Sequence, residues 1–271
     1  MHVNEAKNGV VYLTWPALEK LSMIRHAFST RLGGVSSGYL SSMNLSYSRG
    51  DEPENVRENY RRFCEAAGFA MEQIVTSDQT HTTNVRYVTK RDCGSGVTRE
   101  RDFHEIDGMI TDEPGIVLAT FYADCVPLYF VDPVHRAIGL SHSGWRGTVH
   151  KMGQVTLNAM QERFGTEAKD VIAAIGPSIC QDCYEVSGDV IEEFRAAFPE
   201  KLHETLFYEK PDGKYQLNLW EANRQILLAA GVTEKQIHLP NLCTCCNPEL
   251  LYSHRASKGK RGNLAAFLSL I

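Results

Sequence analysis

A thiol and an imidazole stand at the ends of two neighbouring apolar segments and could act together on a substrate. Cys125 opens one segment and His142 follows the next. Between them, Asp132-Pro133-Val134-His135 suits a type I turn, with Asp in its first position and Pro in its second. A hairpin closed by this turn pairs Cys125 with His142, with their Cβ atoms about 5 Å apart. We therefore predict a site at the open end of this hairpin.

A second imidazole, that of His81, could join the pair. It lies in the polar stretch Asp78-Gln79-Thr80-His81-Thr82-Thr83-Asn84, between two segments that resemble strands. A loop histidine of this kind is most often only solvated. Together with Cys125 and His142, however, it supplies three nitrogen and sulfur ligands, as in catalytic zinc sites with one open position. Asp124, beside the cysteine, could position a substrate hydroxyl or relay a proton.

The residues after His142 suit an anion. Gly144 and Gly147 let the backbone come close to a ligand, a helix start near Thr148 offers free N–H groups, and Arg146 could add a bidentate donor. A plain strand-to-helix turn with Trp145 in the core explains the same residues. Surface ion pairs explain most arginines. Four more could nevertheless hold a phosphate: Arg31, Arg57, Arg255 and Arg261.

The remaining cysteines leave a second metal open. Cys180-x-x-Cys183 and the cluster Cys243-x-Cys245-Cys246 could together form a thiolate zinc site. On this interpretation the second cluster lacks a clean Cys-x-x-Cys, and no redox pattern of strand, Cys-x-x-Cys and helix surrounds the first. Cys64 on a predicted helix and Cys93 in a polar loop are expected to take no part.

The elements that must position these residues are predicted from caps and apolar spacing. Four helices are expected: one after Asp51 with capping-box spacing to Glu54 and an end at Gly68, one from Thr148 to Phe164 before Gly165, one after Ser187 that ends before Pro199, and one after Asn218 that stops at Gly231. Short apolar runs predict buried strands at 116–122, 126–131, 137–140 and 171–175. We expect one α/β domain over residues 1–271, with α+β-type layering of mixed sheets covered by helices.

Composition excludes several classes of protein. The chain has 28 Lys and Arg against 33 Asp and Glu, a net charge of −5, which argues against a nucleic-acid-binding surface. No apolar run approaches the ~20 residues of a membrane span, and the first residues lack the layout of a secretory signal. The eight cysteines are therefore expected to be reduced thiols in the cytoplasm. We expect a cytoplasmic monomer that binds neither nucleic acid nor membranes.

At this point the motifs resemble a known family. In order along the chain they are His26-Ala27-Phe28-Ser29-Thr30-Arg31-Leu32-Gly33-Gly34-Val35-Ser36, Asn44-Leu45, the His81 loop, Asp107-Gly108, Ala123-Asp124-Cys125, His142-Ser143-Gly144-Trp145-Arg146-Gly147, Ile175-Gly176-Pro177-Ser178-Ile179 and Tyr184-Glu185-Val186. They closely resemble the polyphenol oxidase or laccase-domain family, the YfiH/YlmD group, regarded as purine nucleoside phosphorylases. The C-terminal stretch departs from the family's frequent Ser-Tyr-Arg-Arg and Thr-Gly-Arg, since it reads Ser253-His254-Arg255 and Gly259-Lys260-Arg261.

The resemblance implies a layered α/β fold of the YfiH type and a zinc ion whose ligands match His81, Cys125 and His142. It implies purine nucleosides and inorganic phosphate as partners, through phosphorolysis of adenosine, inosine and guanosine, adenosine deamination and cleavage of methylthioadenosine. With Asp124 as a further catalytic residue, the residues expected to bind substrate are Arg31, Asn44, Arg57 and Arg146. Copper could substitute adventitiously, because it outcompetes zinc on affinity.

Three other functions compete with this one. A multicopper oxidase needs many histidines, typically in His-x-His pairs, and the ten histidines here form none; oxygen reduction is therefore rejected as the main function, although a copper-binding polyphenol oxidase stays an alternative. The family's fold also resembles a toxin deamidase, so a cysteine hydrolase with Cys125 as nucleophile and His142 as base is a second alternative. A non-catalytic binding protein is the third.

Overall fold

Seven α-helices and fifteen β-strands make up the chain in a computed structural model that describes residues 1–271. The helices are α1 Pro16–Glu19, α2 Pro53–Ala67, α3 Trp145–Val149, α4 Met152–Phe164, α5 Gly188–Ala197, α6 His203–Leu206 and α7 Leu219–Ala229. The strands are β1 His2–Glu5, β2 Val11–Thr14, β3 Ile24–Ser29, β4 Ile74–Thr76, β5 Val85–Tyr87, β6 Gly108–Thr111, β7 Val117–Tyr122, β8 Val126–Asp132, β9 Ala137–Ser143, β10 Ile172–Ile175, β11 Glu185–Val186, β12 Phe207–Glu209, β13 Tyr215–Leu217, β14 Ile237–His238 and β15 Leu264–Leu270. None of the helices is long and apolar enough to cross a bilayer.

Three of the four predicted helices form much as their caps indicate. Helix α2 ends at Gly68, whose φ of 74° is left-handed, and α5 ends before Pro199. In α7 the Asn218 side chain accepts a hydrogen bond from the backbone N–H of Glu221 at 3.0 Å. The capping box predicted at Asp51 is wrong: Glu52 occupies the N-cap position without a side-chain capping hydrogen bond, and Asp51 accepts hydrogen bonds from Ser36 and other neighbours.

The predicted helix from Thr148 to Phe164 is interrupted. Helix α3 begins earlier, at Trp145, and ends at Val149, and α4 begins only at Met152. Lys151 between them has a φ of 60°, and a left-handed residue cannot continue a right-handed helix. Its ammonium lies 3.2 Å from the centroid of the Phe198 ring, which accounts for the position of its side chain.

Two six-stranded sheets are both mixed, as predicted. The first has the order β1-β2-β3-β15-β7-β4, in which only the β7–β4 pair is parallel. The second has the order β14-β10-β8-β9-β6-β5, with parallel pairs at its two edges. A small antiparallel sheet, β11-β13-β12, lies apart from both.

Alternating side chains place the two large sheets face to face with helices outside them. Along β8, Tyr129 and Val131 join the core between the sheets, whereas Leu128 and Phe130 join a core with α4, α5 and α7. The other face of the first sheet, turned away from the second sheet, packs against α2 around Phe63. Since both faces of β8 and β9 are covered, every residue of these two strands is buried.

The register of the β8–β9 hairpin differs from the prediction by two residues. His142 is paired with Pro127, not with Cys125, and Asp132 is paired with Ala137. The loop has four residues, because Asp132 still belongs to the strand and its side chain accepts hydrogen bonds from the N–H groups of Val134 and His135. A slip of two residues keeps side chains on the same face, so the thiol and the imidazole still meet at this end.

Candidate functional site

The candidate site lies at one end of the layer between the two large sheets. His142 is the penultimate residue of β9 and is buried, with its ring 5.6 Å from that of Tyr122 on β7. Cys125 ends the short β7–β8 connection and is half-buried. His81 is exposed and reaches the same place from the loop between β4 and β5. Three separate segments therefore bring together the three residues singled out from the sequence.

The spacing of these side chains fits a single metal ion. The sulfur of Cys125 lies 3.9 Å from Nε2 of His81, and the two imidazole rings stand nearly perpendicular with centroids 4.9 Å apart. The three potential ligand atoms all lie within 4.8 Å of one another. A tetrahedral ion with bonds of about 2.0–2.3 Å holds its ligands about 3.3–3.8 Å apart. The set therefore needs only a small contraction to hold a metal, and three protein ligands leave a fourth position open.

The carboxylate of Asp107 organises two of the three side chains. It is fully buried and accepts a hydrogen bond from Nδ1 of His142 at 2.7 Å. It also accepts hydrogen bonds from the backbone N–H groups of Thr80, His81 and Thr82, at 3.0, 3.2 and 2.9 Å. A carboxylate that binds one ring nitrogen of a histidine fixes its tautomer and turns the other nitrogen towards a ligand.

Electrostatics favours a thiolate and a protonated imidazole when the cluster holds no cation. Burial raises the pKa of Cys125, but the charges and hydrogen bonds of His142 and His81 outweigh it and lower that pKa to about 6. Burial likewise lowers the pKa of His142, but Cys125 and Asp107 outweigh it and raise that pKa above its ordinary value. Thiolates are the form that binds metals and attacks electrophiles, so Cys125 is prepared for either role.

Unusual backbone conformations and one glycine allow the close approach. His81 and Asp124 have φ angles of 63° and 87°, which non-glycine residues adopt only when the surrounding structure holds them there. A Cβ atom at Gly144 would lie 2.9 Å from Cδ2 of His81 and 3.2 Å from the sulfur of Cys125. Gly144 is therefore needed for space beside the cluster.

Asp124 is held by the protein on both sides of its carboxylate. One oxygen accepts from the Thr244 hydroxyl at 2.6 Å, and the other accepts from the backbone N–H of Arg255 at 2.7 Å. Its own backbone carbonyl accepts from the N–H of Ile179 at 3.0 Å. Only 8% of the residue is exposed. The carboxylate thus ties the segment just before Cys125 to the C-terminal part of the chain.

An open cavity of about 850 Å³ has the cluster on its wall. This volume falls within the range of small-molecule sites. Tyr47, Phe121 and Tyr122 offer rings, and Ser48, Asp78, Gln79, Arg101 and Arg261 offer polar groups. Arg101 is already bonded to Asp78 at 2.9 Å.

Arg261 is the cation on this wall that lacks a carboxylate partner. Its Nε is buried without any hydrogen-bond partner. Burial and the neighbouring Arg49 lower the pKa of Arg261 to about 10. Arg49 itself donates to the backbone carbonyls of Gly259 and Arg261, at 3.2 and 3.4 Å. Neither arginine forms a salt bridge, so together they form an uncompensated positive region.

The four residues expected to bind substrate do not line this cavity. Arg31 donates to the carbonyls of Ser41 and Pro248, at 2.7–2.9 Å. Asn44 is buried and bonded within its own loop and to Asn263. Arg57 is exposed on α2, and Arg146 is exposed with its guanidinium 4.3 Å from the Trp145 ring.

The remaining cysteines separate into bystanders and a second cluster. Cys64 lies on α2 and is buried in the core that this helix covers, and Cys93 is half-buried. The sulfurs of Cys180, Cys183, Cys243 and Cys246 lie within 4.8 Å of one another. The second segment was expected to lack a clean Cys-x-x-Cys, but Cys243 and Cys246 have that spacing, with Cys245 between them.

Sequence reasoning gave no role to Asp107 or to Arg49. Asp107 lies before Gly108 at the start of β6, and an acidic residue at the entry of an apolar strand was a signal for a buried carboxylate with partners. Arg49 lies in the segment Ser46-Tyr47-Ser48-Arg49-Gly50, far in sequence from Arg261, and no local pattern connects the two.

Comparison with known proteins gives a consistent result. The family described as multi-copper polyphenol oxidoreductase laccase matches residues 25–271. The chain is 38% identical over 244 residues to purine nucleoside phosphorylase YlmD of Geobacillus stearothermophilus, which covers 89% of this chain and 88% of that protein. It is 36% identical over 247 residues to the Bacillus subtilis protein of the same name, over 90% and 87% of the two chains.

Solved structures agree with the sequence comparison. The crystal structure of YlmD from Geobacillus stearothermophilus matches with a TM-score of 0.90 and 35% identity, over 99% of this chain and 98% of that one. A Bacillus licheniformis hypothetical protein, YfiH, matches with a TM-score of 0.91 and 32% identity, over 99% of both chains. The fold class and the resemblance predicted from the motifs are confirmed: this chain belongs to the laccase-like family that includes YfiH and YlmD.

Proposed function

We propose that this protein is a metal-dependent purine nucleoside phosphorylase that acts at the cavity beside His81, Cys125 and His142. The observation that carries the proposal is one cavity wall with both a three-ligand cluster and the uncompensated cation of Arg261. Relatives named purine nucleoside phosphorylase support a nucleoside and phosphate as the substrates.

In the proposed reaction a phosphate oxygen attacks the anomeric carbon of the nucleoside. The bond from that carbon to the base nitrogen breaks, the base leaves with the electron pair and takes a proton, and ribose-1-phosphate forms. Adenosine, inosine and guanosine are the proposed substrates, and methylthioadenosine is cleaved in the same way. In adenosine deamination at the same site, the oxygen of a water molecule would bond to the purine carbon that carries the amino group, the bond from that carbon to the amino nitrogen would break, and inosine and ammonia would form.

The metal we propose is zinc, held by His81, Cys125 and His142. Two imidazoles and a thiolate suit zinc. Asp107, which accepts a hydrogen bond from His142, is the kind of carboxylate expected beside a histidine that binds zinc. A zinc ion held by these three residues would supply a Lewis acid beside the substrate. Copper fits the same donors and is proposed only as an adventitious substitute.

The chain's own residues have separate tasks in this proposal. Asp107 orients His142 and the His81 loop, and Asp124 holds the backbone before Cys125 through Thr244 and Arg255. Since both oxygens of Asp124 already accept hydrogen bonds, we assign it to positioning instead of proton transfer. Arg261, with Arg49 behind it, is proposed to bind phosphate, because an anion would compensate these two charges. Arg31, Asn44 and Arg146 are better explained by their own protein contacts, and Arg57 is exposed on α2 outside the cavity wall.

A cysteine hydrolase is the second candidate, and one observation favours it. The arrangement in space is that of a nucleophile, a base and an orienting carboxylate: Cys125 lies near His142, and His142 is hydrogen-bonded to Asp107. A copper oxidase that reduces oxygen by four electrons has less support, because the only other group of potential metal ligands contains cysteines alone.

Product analysis tests the proposed function. The purified protein is incubated with adenosine, with and without phosphate, and the products are identified by mass. We expect adenine and ribose-1-phosphate only with phosphate, and inosine in either case if deamination occurs. A Cys125→Ser sample prepared in parallel measures contaminating host enzymes, and Cys93→Ser is the matched control. Absence of all these products from the metal-replete protein contradicts the proposal.

A further inference from the structure

Four cysteines that the proposed reaction does not use converge at the surface of the protein. The sulfur of Cys246 lies 3.4 Å from that of Cys183 and 3.9 Å from that of Cys180. With Cys243, all four sulfurs lie within 4.8 Å of one another. The four range from buried Cys243 to exposed Cys246, so a metal could enter from solvent.

The arrangement in sequence is the one common in structural zinc sites. Cys180 and Cys183 form one Cys-x-x-Cys, and Cys243 and Cys246 form another on a distant segment. Four thiolates around a tetrahedral zinc ion, with bonds of about 2.3 Å, have sulfurs about 3.8 Å apart. The observed separations bracket this value. We infer that Cys180, Cys183, Cys243 and Cys246 bind a second, structural zinc ion.

Backbone contacts hold the two segments in this arrangement. The N–H groups of Cys180 and Cys246 point at the sulfur of Cys243, at 3.2 and 3.4 Å. Ser178 forms a parallel bridge with Cys243, and its carbonyl accepts from the N–H of Thr244 at 3.1 Å. N–H donors directed at a sulfur stabilise it as a thiolate, which is the form that binds metal.

The chemistry of the set favours one zinc ion over the alternatives. A disulfide requires sulfurs about 2.05 Å apart and would use only two of the four. An iron–sulfur cluster contains several ions and spreads its thiolates more widely than a single ion does. Four soft ligands without any carboxylate or imidazole exclude magnesium and calcium. Because all four positions are protein ligands, none is left for a substrate, and the role is structural.

This second zinc site would fasten the segments that hold Asp124. Thr244 lies between two of the proposed ligands and donates to the Asp124 carboxylate. The backbone N–H of Ile179, which precedes Cys180, donates to the backbone carbonyl of Asp124. Asp124 in turn precedes Cys125. The inference goes beyond the proposed function and does not depend on it, because the cluster lies outside the cavity wall.

Metal counting on the full-length protein tests the inference. Wild-type and variant proteins are produced in zinc-supplemented medium, purified without chelator and freed of any affinity tag, and zinc per chain is measured by mass spectrometry. We expect the double variant Cys183→Ser/Cys246→Ser to hold one zinc fewer per chain than wild type. That difference is expected whether or not the cluster at Cys125 binds metal. Cys125→Ser, measured in parallel, reports on the proposed active site alone.

Cys245→Ser is the matched control, since it changes a thiol in the same turn outside the set. It should keep the wild-type zinc content. Equal zinc in wild type and the double variant overturns the inference, as does a Cys183–Cys246 disulfide found by peptide mapping of the freshly purified wild type. The single variant Cys246→Ser is measured beside it, and loss of zinc from Cys245→Ser with none from Cys246→Ser overturns this ligand set.

A second measurement covers the case in which the double variant fails to fold. Cys125→Ser, which keeps all four cysteines of the second cluster, is produced in medium with cobalt in place of zinc. We expect the sulfur-to-cobalt charge-transfer absorption and the intense visible bands of tetrahedral thiolate coordination, and their loss when zinc is added. Folded protein without these bands overturns the inference.

Discussion

Oδ1 of Asp107 lies 2.7 Å from Nδ1 of His142, and the two groups are buried side by side. The same carboxylate accepts hydrogen bonds from three backbone N–H groups of the loop that carries His81. One side chain therefore sets the orientation of one proposed ligand and the position of another. Removing its charge while keeping its shape should affect the cluster more than the fold.

Asp107→Asn should weaken metal binding and slow turnover. An asparagine amide cannot accept from His142 and from all three backbone donors as a carboxylate does, so His142 loses its fixed tautomer. Loss of such a partner typically lowers metal affinity about 10–100-fold. Zinc affinity is measured by competition with a chromophoric chelator. The matched control is Asp132→Asn, because Asp132 contacts His135 at 2.8 Å at the other end of the same hairpin. Equal affinity in the two variants would contradict this role.

Cys125→Ala should abolish nucleoside cleavage and leave the fold largely intact. The residue lies at a sheet end and on the wall of a cavity, whereas three separate hydrophobic cores stabilise the protein without it. His142→Ala should also be inactive, but it removes a buried side chain and should lower Tm further. Tm and phosphate-dependent turnover are measured for both variants. If Cys125→Ala retains substantial activity, the proposed site is wrong; if it unfolds, the cluster is structural.

Alkylation at different pH values separates the metal enzyme from the cysteine hydrolase. In protein stripped of metal, Cys125 should react with iodoacetamide with a midpoint near pH 6, because His142 and His81 lower its pKa despite burial. Cys64 should stay unreactive at neutral pH, since burial raises its pKa to about 12. Metal-replete protein should be protected at Cys125. Peptide mass spectrometry gives the extent of reaction at each cysteine, and rapid alkylation of the metal-replete protein would favour the hydrolase.

A buried histidine outside the candidate site should make stability depend on pH. Nε2 of His26 accepts a hydrogen bond from the backbone N–H of Trp15 at 2.9 Å. Burial lowers the pKa of His26 to about 4. Between about pH 4 and 6.5 the unfolded state binds more protons than the folded state, so the free energy of unfolding falls as the pH falls. The full shift corresponds to about 3 kcal/mol.

Urea unfolding at several pH values measures this dependence. His26→Gln should flatten the slope between about pH 4 and 6.5, and His150→Gln, at an exposed histidine, should leave it unchanged. An unchanged slope in His26→Gln would show that other groups cause the pH dependence.

Local rules predicted much of the fold because its signals lie close together in sequence. Gly68 ends α2 and Asn218 caps α7 through contacts within a few residues. The strands β7 to β10 are apolar on both faces because each lies between two layers, and this pattern is visible without knowing their partners. Failures occurred where a side chain had a non-local partner, as with Asp51, or where one residue adopted a left-handed conformation, as with Lys151.

The candidate site was predictable as a set of residue types but not as a network. The approach of Cys125 to His142 survived a wrong register, because an even slip keeps the face of a strand. The partners that hold the cluster, Asp107 and the Asp124 contacts with Thr244 and Arg255, connect segments far apart in sequence. For the same reason the arginines nearest the cavity could not be chosen from a single sequence.

Arg261→Gln should weaken phosphate binding more than it weakens nucleoside binding. The substitution removes a charge that has no carboxylate partner and has a buried, unpartnered Nε at the cavity wall. A hydrogen bond to a charged group contributes about 1.5–3 kcal/mol, which corresponds to about a 10–100-fold increase in the KM for phosphate. Arg261→Lys should recover only part of the loss, because an ammonium cannot form the two parallel hydrogen bonds that a guanidinium forms to phosphate.

The controls are Arg57→Gln and Arg146→Gln, which change exposed arginines outside the cavity wall and should change the KM for phosphate less than twofold. Initial rates at varied phosphate and fixed saturating nucleoside give the comparison, and a larger effect from Arg146→Gln than from Arg261→Gln would move the phosphate site from Arg261 to Arg146.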